Sequence, residues 1–126
     1  MLGTFQQTHL RIEIEAPGNR IRDSLLRPEQ MQKWLPFVQL SPGLPEEFYP
    51  GFSYTTKVGL ISIQHDVEIA NETCLRILLS QGIDGYHEWH WGDGWVQSCL
   101  EGISILPLNL SQTASLMSLR QFLEQP

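Results

Sequence analysis

The sequence predicts one α+β domain, in which a curved antiparallel sheet of six or seven strands holds a long C-terminal helix across its concave face. Three observations predict this class. Apolar and polar residues alternate near the N-terminus and again over about fifty residues after Gly51, as in half-buried strands. Helical spacing of apolar residues follows the first strand and returns near the C-terminus. The length, 126 residues, suits a single domain, so residues 1–126 are taken as one unit.

The first strand and the two short helices after it are delimited by prolines. Residues 10–16 alternate between apolar and polar types, and Pro17 ends the strand because proline cannot donate to a sheet ladder. Apolar positions at helical spacing then predict a helix over 19–26. Pro28 suits the first turn of a second helix, where a missing N–H costs nothing, and this helix is expected to end at Pro36.

The middle of the chain predicts a loop followed by hairpins. Residues 37–51 are rich in proline and glycine and predict the longest loop. The clearest alternation runs over 61–69 and places His65 on an apolar face with Ile61, Ile63, Val67 and Ile69. Gly92-Asp93-Gly94 predicts a tight turn between the last two strands.

The C-terminal helix is predicted from Leu110 to Leu123. Its inward stripe is formed by leucines with Met117 beside them, and Ser111 is a plausible N-cap. Leu119 lies in the centre of that stripe, so we expect it to pack into the sheet.

Composition and charge exclude several classes of protein. Fourteen acidic residues against eight basic ones give a net charge of −6, and the basic residues are scattered, so we expect no nucleic-acid partner. No stretch approaches the roughly 20 apolar residues of a membrane span, so no membrane insertion is expected. The N-terminus has no signal-peptide pattern, and the isolated Cys74 and Cys99 predict reduced thiols in a cytoplasmic protein, monomeric or homodimeric.

The search for chemistry yields binding candidates and no catalytic motif. There is no nucleophile elbow and no glycine-rich phosphate loop. His87 and His90 would lie on opposite faces of one strand, so we expect no metal site, and no cofactor is expected either. The candidate ligand-binding residues share a predicted inward face: His65, Trp89, Trp91, Tyr54, His87 and Met117. For His65, and for the strand face that carries Trp89 and Trp91, ordinary core packing is the alternative interpretation.

The order of elements and several short motifs resemble the START-like (SRPBCC) superfamily. The quoted features are Ala16-Pro17 before a helix, the segment 27–36 with its Pro-Glu and Trp, Pro50-Gly51 before a strand, and His87-x-Trp89-x-Trp91 on a late strand. That superfamily has the helix-grip fold and includes Bet v 1 allergens, START domains and polyketide cyclase/dehydrase-like proteins. The resemblance implies a hydrophobic pocket between the sheet and the last helix, although that helix is shorter here than usual for the superfamily.

Three functions follow as hypotheses. The first is binding or carrying of a small hydrophobic molecule in an internal cavity, with His65 or Tyr54 fixing its orientation. The second is a cyclase- or dehydratase-type enzyme in which a cavity histidine, His65 or His87, moves a proton. The third is an interaction protein with a filled core that docks a partner through aromatic residues of the long loop: Phe37, Phe48, Tyr49 and Phe52.

Overall fold

The computed structural model describes residues 3–35 and 38–125. Seven antiparallel strands form one sheet in the order β1-β7-β6-β5-β4-β3-β2, and the predicted α+β class is confirmed. In chain order the elements are β1 (Thr4–Glu13), α1 (Gly18–Leu26), α2 (Pro28–Trp34), β2 (Gln39–Leu40), β3 (Ser53–Val58), β4 (Ile61–Ala70), β5 (Cys74–Gln81), β6 (Ile83–Gly92), β7 (Trp95–Ser104) and α3 (Leu108–Glu124). No helix in these two ranges is long and apolar enough to cross a membrane.

Strands β3 to β7 follow one another in hairpins, and β1 closes the sheet by pairing with β7. The β6–β7 turn is tight because Gly92 pairs with Trp95, which leaves Asp93 and Gly94 as the two central residues. Gly94 has a φ of +82°, a conformation that glycine adopts without steric cost. The predicted glycine turn is therefore the one the fold uses.

The long predicted loop contains a strand that the sequence did not reveal. The two-residue strand β2 pairs with Lys57 and Thr56 of β3 at the edge of the sheet. Two residues are too few for a recognisable alternation, and the surrounding prolines favour a loop interpretation.

The prediction that Ile69 shares the inner face with His65 is wrong, because β4 contains a β-bulge. The register of β4 against β5 shifts between Val67 and Ile69, so Ile69 lies opposite Arg76 while Ala70 lies opposite the buried Leu75. Because directly opposed residues share a face, Ile69 lies on the outer face and not beside His65.

Helix α3 begins earlier than predicted, at Leu108, with Pro107 as its N-cap residue. Ser111 is therefore inside the helix, and the prediction of Ser111 as the N-cap is wrong. The buried stripe of α3 consists of Leu108, Gln112, Leu116, Leu119 and Leu123. The inward packing predicted for Leu119 is confirmed, since it has no exposed surface.

The two short helices pack against each other and against α3. Pro28 occupies the first turn of α2, as predicted. Trp34 at the end of α2 donates its indole N–H to the carbonyl of Ser24 in α1 at 2.8 Å, and Ser118 of α3 donates to the carbonyl of Trp34. These bonds hold both short helices and α3 against one another.

Candidate functional site

A cavity of about 150 Å³ lies between the inner face of the sheet, α2 and α3. Its walls are mostly aliphatic and aromatic side chains from β3 to β7, closed on the helical side by α2 and the first half of α3. The few polar residues are Thr56, His65, His87, Gln112 and two serines of α3. An apolar cavity with a small number of placed polar groups is the usual form of a small-molecule site.

Four of the six residues chosen from the sequence line this one cavity: His65, Trp89, Tyr54 and His87. Cross-strand register brings them together, because β3, β4, β5 and β6 follow one another in the sheet and each of the four side chains lies on the inner face. Their contribution to ligand binding stays a prediction.

The other two predicted residues lie elsewhere. Trp91 shares the inner face but is packed in the core, 3% exposed, and does not line the cavity. Met117 is 39% exposed and lies outside the cavity lining, so the prediction that it caps the cavity is wrong. In α3, Leu116 turns inward, and its chain neighbour Met117 is rotated about 100° away from it.

His65 contacts two neighbouring side chains, and one of its ring nitrogens is buried. Its Nε2 lies 2.8 Å from the hydroxyl oxygen of Thr56, and its ring stacks on Tyr54 with centroids 4.5 Å apart. Its Nδ1 is buried and has no hydrogen-bond partner among the described residues. Burial lowers the pKa of His65 to about 4, although nearby Asp66 acts in the opposite direction.

His87 stands at the end of a polar chain that crosses the interior. Its Nε2 lies 2.7 Å from the hydroxyl oxygen of Ser98 on β7. The side-chain nitrogen of Gln112 lies 2.9 Å from that same oxygen, and its side-chain oxygen accepts a hydrogen bond from Thr8 at 2.8 Å. Burial lowers the pKa of His87 to about 3, with His65 adding a smaller effect in the same direction. Both imidazoles are therefore neutral near pH 7.

Aromatic rings extend from the cavity wall into the long loop. Phe48 stacks on Tyr54 with centroids 4.8 Å apart, and Phe52 lies 6.1 Å from Tyr54. Phe48 is only 3% exposed, so its predicted exposure for partner docking is wrong; Tyr49 is exposed. Phe37, the fourth residue of that hypothesis, lies outside the described residues.

Two residues that sequence reasoning did not place in the site are central to it. Trp34 lines the cavity and meets Trp89 edge-to-face at 6.4 Å. Gln112 is 2% exposed and joins α3 to β1 and β7 through its amide. A signal for Gln112 was present: it is a polar residue four positions before Leu116, in the helix's apolar stripe.

Trp95, close in sequence to Trp89 and Trp91, lies on the opposite face of the sheet from them. Trp95 is opposite Glu13 of β1, and the guanidinium of Arg11 lies 4.3 Å from its ring centroid. The inner face at this point is occupied by Val96, which is fully buried. Trp95 therefore belongs to the outer face.

One cluster on the outer face has metal-binding residue types. Donor atoms of Cys74, Glu88 and His90 lie within 4.8 Å of one another. The carboxylate of Glu88 is already shared, with Arg76 at 3.1 Å on one oxygen and His90 at 3.1 Å on the other. Because the guanidinium also places a positive charge at this position, we interpret the cluster as an ion-pair network. The expected absence of a metal site stays a prediction.

Comparison with known proteins gives the fold and nothing finer. No protein-family model matches the chain, and no curated protein sequence matches it. Similar solved structures include protein CV1439 from Chromobacterium violaceum, at 19% identity and a TM-score of 0.76, with 95% of this chain and 99% of that chain covered. Norcoclaurine synthase from Thalictrum flavum aligns at 12% identity and a TM-score of 0.71, covering 100% and 99%.

Ginseng major latex-like protein 151 from Panax ginseng aligns at 11% identity and a TM-score of 0.69, with 95% of each chain covered. These neighbours match over nearly their whole lengths, so the likeness includes the short helices and α3 as well as the sheet. At such low identity, similarity of this kind establishes the arrangement of the backbone and leaves activity open. The chain has the helix-grip fold of the START-like, or Bet v 1-like, proteins.

Proposed function

We propose that this protein binds a small, largely apolar molecule in the cavity between the sheet and α3. The observation that carries the proposal is the cavity itself: about 150 Å³ of space lined mainly by apolar side chains, with two neutral imidazoles among them. An apolar cavity of about this volume accommodates a molecule the size of benzene. The ligand, or the part of it that is buried, therefore has about six to eight non-hydrogen atoms.

We expect a ligand to enter on the α3 side. Ser111 and Ser115 line the cavity from the flank of α3, next to its buried stripe, and Ser111 is exposed to solvent. A residue that is exposed and also lines the cavity marks where the cavity approaches the surface. A ligand entering beside α3 would meet hydroxyl groups first and the Trp34–Trp89 wall afterwards.

The two alternative functions are less well supported. Neither cavity imidazole is hydrogen-bonded to a carboxylate: His65 is paired with Thr56 and His87 with Ser98. Their pKa values, about 4 and about 3, make both poor proton acceptors near neutral pH, which disfavours acid–base catalysis. A filled core would have left no cavity, which disfavours the interaction-protein hypothesis.

The proposal is tested by titrating the protein with methylenecyclohexane, a neutral seven-carbon hydrocarbon, and following backbone amide shifts by NMR. We expect saturable shifts at β4, β6 and the first half of α3. Leu79→Phe should weaken binding at least fivefold, because Leu79 lines the cavity and the larger ring takes up part of its volume.

The matched control is Leu78→Phe, the same change one residue earlier on the outer face of β5, where Leu78 is 39% exposed. This variant should bind the hydrocarbon as the parent protein does. Absence of saturable binding, or equal weakening in the two variants, would contradict the proposal that this cavity binds small apolar molecules.

A further inference from the structure

The hydrogen-bond chain behind His87 fixes which of its nitrogens carries the proton. The orientation of the Gln112 amide is the starting point. Its nitrogen lies 2.9 Å from the carbonyl oxygen of Ser98 and 3.2 Å from the carbonyl oxygen of Thr8. Carbonyl oxygens only accept hydrogen bonds, so the NH₂ group must face them and the amide oxygen must face the Thr8 hydroxyl.

The Ser98 hydroxyl then has one place for its hydrogen. Its oxygen has two side-chain neighbours, the amide nitrogen of Gln112 at 2.9 Å and Nε2 of His87 at 2.7 Å. The amide nitrogen cannot accept a hydrogen bond. Ser98 is fully buried, so an unpaired hydroxyl would be costly, and its hydrogen therefore points to Nε2 of His87.

A neutral imidazole has one N–H. Burial keeps His87 neutral, with a pKa of about 3, and its Nε2 accepts from Ser98. The proton is therefore on Nδ1. That nitrogen has no hydrogen-bond partner among the described residues, and it is not one of the sealed buried polar atoms, unlike Nδ1 of His65. His87 lines the cavity, so its N–H donor is available there.

The other polar groups of the cavity wall do not impose the same choice. Nε2 of His65 is engaged with the Thr56 hydroxyl, and its Nδ1 is buried. The hydroxyl of Tyr54 donates or accepts as the ligand requires. His87 is therefore the group whose surroundings fix it as a donor only.

We propose that the cavity selects a neutral hydrogen-bond acceptor, a compact molecule carrying a ketone, ester or similar carbonyl, which accepts from Nδ1–H of His87. This inference rests on the proposed function and adds the polarity of the ligand to it. A carboxylate is disfavoured, because a neutral donor in an apolar cavity does not offset the desolvation of a charge. An alkane-like molecule fills the space and leaves the donor unpaired.

Binding of two matched probes tests the inference: cyclohexanone and methylenecyclohexane, which differ by C=O against C=CH₂. In the parent protein both should bind. In His87→Phe, cyclohexanone should bind at least fivefold more weakly, while methylenecyclohexane stays within about threefold. Leu78→Phe on the outer face of the sheet is the control and should leave both affinities unchanged. Thr56→Val, which removes the hydroxyl paired with the other imidazole, is measured beside it.

The outcomes separate this inference from the proposed function. If methylenecyclohexane binds and cyclohexanone does not respond selectively to His87→Phe, the carbonyl preference is wrong and the cavity still binds ligands. If neither probe binds the parent protein, both proposals fall. The preference for cyclohexanone over methylenecyclohexane could instead be lost in Thr56→Val or Tyr54→Phe and kept in His87→Phe. That result would overturn the inference and place the donor on the other side of the cavity.

The proton position has its own measurement, which needs no ligand and no His87 substitution. Ring ¹⁵N NMR of the parent protein at pH 7 should show Nδ1 of His87 as the protonated, pyrrole-type nitrogen and Nε2 as the pyridine-type one. Ser98→Ala should move the Nδ1 signal toward the pyridine type, since Nε2 is then free to hold the proton. A parent protein with the proton on Nε2 would overturn the inference.

Discussion

Lowering the pH from 6.5 to 5 should reduce the free energy of unfolding by about 3 kcal/mol through two buried histidines. Both side chains are neutral in the folded protein, with pKa values of about 4 for His65 and about 3 for His87, because burial penalises the charged form. In the unfolded chain each has a pKa near 6.5 and takes up a proton readily. Acid therefore favours the unfolded state.

The direction and the pH window follow from those values. The unfolded chain binds more protons than the folded one between about pH 4 and 6.5, so stability rises with pH over that range and levels off above it. Each histidine contributes a slope of up to about 1.4 kcal/mol per pH unit. The carboxyl groups of Glu88 and Glu101 have lowered pKa values, the first mainly from its bond with His90 and the second mainly from Gln7, so they add slope only at lower pH.

Urea unfolding at a series of pH values between 5 and 7.5 measures this dependence. His65→Gln and His87→Gln should each lower the slope between pH 5 and 6 by about half, whatever their effect on absolute stability. A parent protein whose stability is flat over this range would mean that neither imidazole is held neutral in the folded state.

The architecture could be predicted because most of the helices and strands are recognisable from short stretches of sequence. Alternation over 61–69, the glycine pair around Asp93 and the helical spacing at the C-terminus each depend on neighbouring residues only. Together they fix a meander of strands between helices, and few folds accommodate that order. The same local reasoning put His65 and His87 on inner faces, which is why the structure finds both on one cavity wall.

The predictions that were wrong depend on strand register and on the position of residues around a helix. A single bulged residue near Glu68 reverses the face of everything after it in β4, and no composition signal marks that residue. The leucine stripe of α3 was predicted correctly, but Met117 lies about 100° from Leu116 around the helix and faces away from the cavity, while Gln112 within the stripe was not recognised as part of the cavity wall. The approach of Cys74 to His90 likewise exists only through the pairing of β5 with β6.

Leu119→Ala should lower the free energy of unfolding by about 2–5 kcal/mol. Leu119 is fully buried, and it lies in the inward stripe of α3 between Leu116 and Leu123, which are buried as well. Removing its branched end takes apolar area out of the core and leaves a space that the surrounding sheet and helices fill only in part. The upper part of the range applies if the neighbours cannot collapse inward. Alanine favours helix slightly more than leucine does, so the loss comes from packing and not from weakened helix formation.

Denaturant unfolding of this variant beside Leu110→Ala provides the comparison. Leu110 is in the same helix and is 66% exposed, so its replacement should change stability by no more than about 0.5 kcal/mol. Both variants make the same chemical change in one helix, and the difference between them isolates burial. If the two variants lose equal stability, the Leu116–Leu119–Leu123 stripe does not pack against the sheet. Another face of α3 would then have to turn toward the cavity.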